Sequence, residues 1–292
     1  MSTEQRQLLK TKESGIVKIV LYYTTIAYCI TWIIAFGIYS LFRKGDLTNY
    51  QLNLYHSFAA FGPTIAALIS TYTFYGKTGV KKLVEKIGLP MLDKQTFIFV
   101  VSPLLFFGLG YLIYPIIKST EYSFSNFAHM NWSNLTEIVI WLLPLLTYSI
   151  FEEIGWRGFL LPHLQEKFSA WKSTILLTVI WALWHIPFFF YRFDFSLGIS
   201  IGFFFGIFVG AIILTSIHNS SRGMLIPVML FHFLNNLCSA FDKELIVAFL
   251  STGFVFLAIY IYRKLGTDNL STNNRIRNYF IDYQKNAQHN SG

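Results

Sequence analysis

Residues 135–161 read LTEIVIWLLPLLTYSIFEEIGWRGFLL, and this stretch decides the fold class. It is long enough to cross a hydrocarbon core, which takes about 20 mostly apolar residues. Yet its second half carries Glu152, Glu153 and Arg157. Ionisable groups at membrane depth cost roughly a few kcal/mol each on insertion scales, so each needs a partner or a purpose. The bland alternative is a helix ending at the membrane surface with its charges in water. Phe159, Leu160 and Leu161 continue the apolar run beyond the charges and count against it.

Working outward, the same length criterion gives eight spans, covering roughly 16–42, 54–75, 96–118, 135–161, 171–190, 197–218, 223–241 and 244–263. Composition agrees. Of 292 residues, 54% are hydrophobic and 13% charged, whereas soluble domains carry about a quarter charged residues. The chain is therefore expected to be an all-α polytopic membrane protein, with any active site inside the helix bundle. Its net charge of +8 implies no nucleic-acid partner, because the basic residues sit in short loops between apolar runs, where they set topology. Cys29 and Cys238 fall inside apolar segments and read as core residues rather than a disulfide framework.

Loop charge fixes the expected orientation. The basic residues gather in the first 18 residues (Arg6, Lys10, Lys12, Lys18), the 76–95 loop (Lys77, Lys81, Lys82, Lys86, Lys94), the 162–172 turn and the start of the tail. The alternating loops are poorer. Basic loops stay cytoplasmic, so both termini are expected inside, in what is most simply a plasma membrane. Residues 1–15 read as a cytoplasmic segment, 16–263 as one membrane domain and 264–292, rich in Asn, Ser and Gln, as a disordered cytoplasmic tail. Leu83, Val84 and Ile87 among the lysines of the 76–95 loop suggest an interfacial amphipathic helix.

Three polar groups stand out within the spans. Glu153 and Arg157, four residues apart, share a helix face and can pair, while Glu152 points elsewhere. Trp181-Ala-Leu-Trp-His185-Ile-Pro187 places an imidazole just before a helix-breaking proline. His232-Phe-Leu-Asn-Asn236 puts two polar side chains on one face, which reads as a lined cavity or as interhelical hydrogen bonding. Counted from the cytoplasmic ends at helical rise, Glu152, His185 and His232 lie roughly 15, 21 and 14 Å deep, which favours one shared site. His56, His129, His163, His218 and His289 read as surface or interfacial.

A carboxylate with two imidazoles is a set for activating water. Glu152, His185 and His232 could hold a divalent metal, zinc above all, that acidifies its water. Alternatively Glu152 acts directly as general base, with Asn236 polarising the scissile carbonyl. Spacing leaves both open, and no His-Glu-x-x-His helix is present.

Glu152-Glu153-x-x-x-Arg157, an aromatic-x-x-x-His185 and His232-x-x-x-Asn236, in that order on separate spans, resemble the CAAX protease and bacteriocin-processing (Abi) family over roughly 135–240. Gly158 and Pro187 also look like the family pattern. Trp181 stands where Phe is usual, a departure expected to leave the chemistry undisturbed. The resemblance implies an eight-span intramembrane endopeptidase. Glu152 would be its water-activating base, His185 and His232 would complete the site, and Glu153 and Asn236 match further motif positions. The implied substrate is a peptide or lipid-anchored protein. The alternatives are a non-enzymatic adaptor or bacteriocin-immunity protein on the same fold, and a transporter. No internal repeat supports the transporter.

Overall fold

The computed structural model describes residues 3–121, 133–193, 196–241 and 245–280. These form α1 (Thr3–Arg43), α2 (Asn49–Ala59), α3 (Phe61–Glu85), α4 (Lys94–Lys118), α5 (Leu135–Gly155), α6 (Leu161–Lys167), α7 (Ala170–Trp184), α8 (Leu197–Ser220), α9 (Ile226–Phe241) and α10 (Leu245–Tyr260). Among the described residues no strand occurs. His129 and His289 lie outside the described residues.

Among the described residues seven helical segments are long and apolar enough to cross a membrane: Gly15–Arg43, Tyr50–Glu85, Lys94–Lys118, Leu135–Lys167, Ala170–Phe190, Ser200–Ser220 and Leu245–Leu265. The expected seventh span is the shorter apolar helix Ile226–Ala240. The chain is thus an all-α polytopic membrane protein. Its lipid-facing residues are apolar: Ile33 and Ile116, for example, stay largely exposed on the outside of the bundle, as the bilayer solvent requires. Cys29, expected in the core, also faces outward, while Cys238 is buried.

Local chemistry sets the helix ends. Asp93 accepts from the Thr96 backbone N–H to cap α4, and the Asn134 side chain accepts from the Thr136 N–H to cap α5. The segment 50–85 breaks twice, between α2 and α3 and at Gly76, whose φ of 65° and ψ of −165° are open to glycine but strained for other residues. Beyond that kink the lysine-rich turn of α3 buries Leu83 and exposes Val84 and Ile87.

α5 lies at the centre, packed against α2, α3 and α9, while α7 packs on α8 and α4 on α9 and α10. Its approach to α3 is close. A Cβ on Gly155 would collide with the Pro63 side chain and sit 2.6 Å from the Tyr23 hydroxyl. Only glycine lets these two helices meet at the motif.

The structure corrects the expected disordered tail as far as Phe280. Residues 266–280 run as a strap across one end of the bundle, with Leu270, Ser271, Asn278 and Phe280 buried. The polar residues that make this segment look unfolded satisfy helix ends instead. The carbonyls of Thr267 and Asp268 accept from the first N–H groups of α7, at Trp171 and Ala170. Asn273 donates to the Ser220 carbonyl at 2.9 Å, and Arg275 donates to the Gln165 carbonyl at 3.2 Å. Helix termini leave orphan backbone groups that must find such partners.

Candidate active site

The motif of α5 does not end as an α-helix. Trp156–Leu160 forms a π-helical turn before α6 begins, and the Leu161 N–H reaches back five residues to the Trp156 carbonyl. Single π turns inside α-helices recur at functional sites because they re-aim side chains. Here the turn carries Arg157 across Glu153: its Nη1 donates to Glu153 Oε1 at 3.0 Å. His232 Nδ1, from α9, donates to the same oxygen at 2.7 Å. All three side chains are buried, Glu153 and Arg157 completely. The expected Glu153–Arg157 pair is present, with an imidazole as an unexpected third member.

Glu152 faces a different way, as its offset of about 100° predicts. Its Oε2 accepts from two indoles, Trp156 Nε1 at 3.2 Å and Trp181 Nε1 of α7. Trp181 is the hub of the site. The Arg157 guanidinium lies 4.5 Å over its ring, the His185 ring is 5.8 Å away and the His232 ring 6.0 Å away. Trp181 in place of Phe adds a contact to the site, because a phenyl ring has no N–H to give Glu152.

His185 closes α7 at its C-terminal cap. Its N–H takes a tightened bond to the Ala182 carbonyl, and Pro187 follows inside a 3-10 turn, Ile186–Phe190. The proline forbids continuation of the α-helix. His185 Nδ1 donates to the Trp181 carbonyl at 2.8 Å, which leaves Nε2 as the acceptor nitrogen. By the same reasoning His232, donating from Nδ1 to Glu153, keeps Nε2 available. Both imidazoles retain 8% exposure where Glu153 and Arg157 have none, so the cluster opens at its histidines. Asn236, half-buried one turn after His232, donates to the Ser149 hydroxyl at 3.3 Å.

Glu152, His185 and His232 are the residues that would hold a metal ion, the two imidazoles through Nε2. Among the described residues no three His, Cys, Asp or Glu side chains are grouped to hold one.

Three histidines expected at the surface are buried. His163 and His218 have no exposure, and His56 has little. His56 Nδ1 lies 2.8 Å from the Tyr191 hydroxyl and 3.2 Å from that of Tyr148, four residues before Glu152. No sequence periodicity marks these contacts. They depend on which helices become neighbours.

Residues 134–238 match the family described as type II CAAX prenyl endopeptidase Rce1-like. The motif core is thus similar to that family. The matched stretch contains every residue of the cluster around Trp181. A similar curated protein is CAAX prenyl protease 2 of Methanococcus maripaludis, 35% identical over 144 residues, covering 44% of this chain and 52% of the relative. The chain thus spans about half the length of the curated relative it matches.

Proposed function

We propose that this protein is an intramembrane endopeptidase in which Glu152 activates water directly. The observation that carries this reading is the convergence of α5, α7 and α9 on Trp181. There, one carboxylate is neutralised by Arg157 and His232, while the other is left to act beside two imidazoles.

In this reading Glu152 Oε2 stays anchored by its indoles and Oε1 takes a proton from water. His185 Nε2 accepts the second hydrogen of that water and orients it. The water oxygen attacks the scissile carbonyl carbon, and the developing oxyanion is met by the Asn236 side-chain amide. His232 lines the same wall. The proton held by Glu152 then passes to the leaving amine as the C–N bond breaks. Glu153 and Arg157 do no proton transfer; they hold His232 and the π turn in place. No step requires a metal.

The relative's printed name points to a prenylated C-terminal peptide as the substrate class, which suits a site opening within a bundle surrounded by lipid. Loop charge supports a cytoplasmic position for both termini and for the lysine-rich end of the bundle.

The test is cleavage of a farnesylated Cys-terminated peptide and its unprenylated counterpart by purified full-length protein. Expected results are cleavage of the prenylated peptide, loss of at least about a thousandfold in Glu152→Gln, and no effect of chelator. Cleavage surviving in Glu152→Gln would overturn the assignment of the base. Chelator-sensitive cleavage would overturn the metal-free mechanism.

A further inference from the structure

The π turn has a defect that its own sequence imposes. In an α-helix the Gly158 carbonyl would accept from the N–H four residues on, but that residue is Pro162, which has none. A buried carbonyl without a donor is costly. Gly158 is buried, yet its carbonyl is satisfied: the Tyr279 hydroxyl, from the C-terminal strap, donates to it. The next carbonyl, Phe159, accepts from His163 Nδ1 at 2.6 Å. This fixes the tautomer, because Nδ1 must carry the hydrogen and Nε2 must accept. The Tyr75 hydroxyl is 2.8 Å from Nε2, and Asn278 Nδ2 donates to that hydroxyl oxygen at 3.0 Å. Every donor in this relay has its acceptor. Two consecutive strap residues, Asn278 and Tyr279, therefore reach two consecutive carbonyls of the turn that carries Arg157.

The strap is also seated by contacts other than the Tyr279 hydroxyl. Phe280 stacks on Tyr75 and on His163, with ring centroids 4.8 and 5.6 Å apart. Lys82 Nζ donates to the Tyr279 carbonyl at 3.1 Å, and Lys86 lies 4.9 Å over the Tyr279 ring. The tyrosine ring is thus held independently of its hydroxyl.

We propose that Tyr279 is a positioning residue for the reaction: its hydroxyl clamps the π turn, and the turn in turn holds Arg157, Glu153 and His232 in register with Glu152. Tyr279 touches no reacting atom. Asn278 supports the same turn through Tyr75 and His163. The site is consequently built from residues far apart in sequence, its motif helix completed by a segment outside the matched core.

The inference rests on the protease reading for its kinetic test, and hydrogen exchange separates the two. Tyr279→Phe keeps the ring and its packing and removes one buried hydrogen bond. The expected result is a fall in kcat of about tenfold with KM unchanged and a melting temperature lowered no more than in Asn273→Ala. Asn273→Ala, which loosens the strap at Ser220 instead, is the control and keeps wild-type kcat. Amides of residues 158–164 in Tyr279→Phe exchange about tenfold faster than in wild type. Wild-type kcat in Tyr279→Phe would overturn the clamp, as would losses in both variants that merely track melting temperature. If the wild type cleaves no peptide, exchange alone decides: faster exchange confined to the π turn upholds the clamp while the protease reading fails, and unchanged exchange overturns the clamp.

Discussion

The triad Glu153–Arg157–His232 gives a quantitative test of how the site is held. Arg157 and Glu153 have no exposure, and beyond their mutual 3.0 Å bond both are under-satisfied. Among the described residues Arg157 Nε and Nη2 and Glu153 Oε2 have no hydrogen-bond partner. Removing one member of a buried pair leaves an uncompensated charge and costs about 3–5 kcal/mol. Glu153→Leu and Arg157→Met should each fall in that range. If the two effects were independent, the double variant would lose roughly 6–10 kcal/mol. It should not. With both charges gone, the remaining loss is the acceptor of His232 Nδ1, now 2.7 Å from Glu153, worth about 1–3 kcal/mol. The coupling energy is then at least about 3 kcal/mol. The assay is a double-mutant cycle on reversible unfolding in detergent or bicelles, with cleavage measured alongside. The double variant should regain most of the stability lost in either single variant while cleavage stays low, because His232 is no longer oriented. A coupling energy below about 1 kcal/mol would refute the view that this triad is a closed charge-compensated unit.

Three further outcomes follow from individual contacts. Trp181→Phe removes an indole donor from Glu152 and weakens the platform under Arg157, so kcat should fall about tenfold to a hundredfold while the protein remains folded; parallel peptide-cleavage and melting measurements check this. Gly155→Ala forces a methyl group against Pro63 and Tyr23 and should cost about 1–3 kcal/mol, read as a lowered unfolding temperature. Burial alone would raise the Asp93 carboxyl, but the Thr96 N–H and hydroxyl outweigh it and hold the group below its ordinary value. A depressed carboxyl contributes stability above the unfolded value of about 4 and loses it as pH falls through the folded one. The stability gap between wild type and Asp93→Ala should therefore be constant near neutrality and narrow below about pH 4, which unfolding across a pH series will show.

What is legible in the sequence follows from the range of each interaction. Span positions rest on local composition, and the Glu153–Arg157 pair rests on i,i+4 spacing, so both can be read directly. Helical rise also sets an expectation of similar depth for Glu152, His185 and His232. The partners of those residues cannot be read. Whether Trp181 faces Glu152, whether His232 turns to Glu153, and whether His163 meets Tyr75 all depend on which helices become neighbours and at what rotation. The π turn adds a rotation that a uniform helical count does not contain. The tail departs from expectation for a related reason. Its low apolar content rules out an independent core, but residues 266–280 need none, because they supply Asn, Arg and Tyr groups to orphaned carbonyls and N–H groups of a bundle that already exists. A polar segment beside helix ends is therefore poor evidence of disorder. The missing N–H at Pro162 is visible in the sequence alone, and it takes from the buried Gly158 carbonyl its α-helical donor, where the distant Tyr279 hydroxyl comes to meet it.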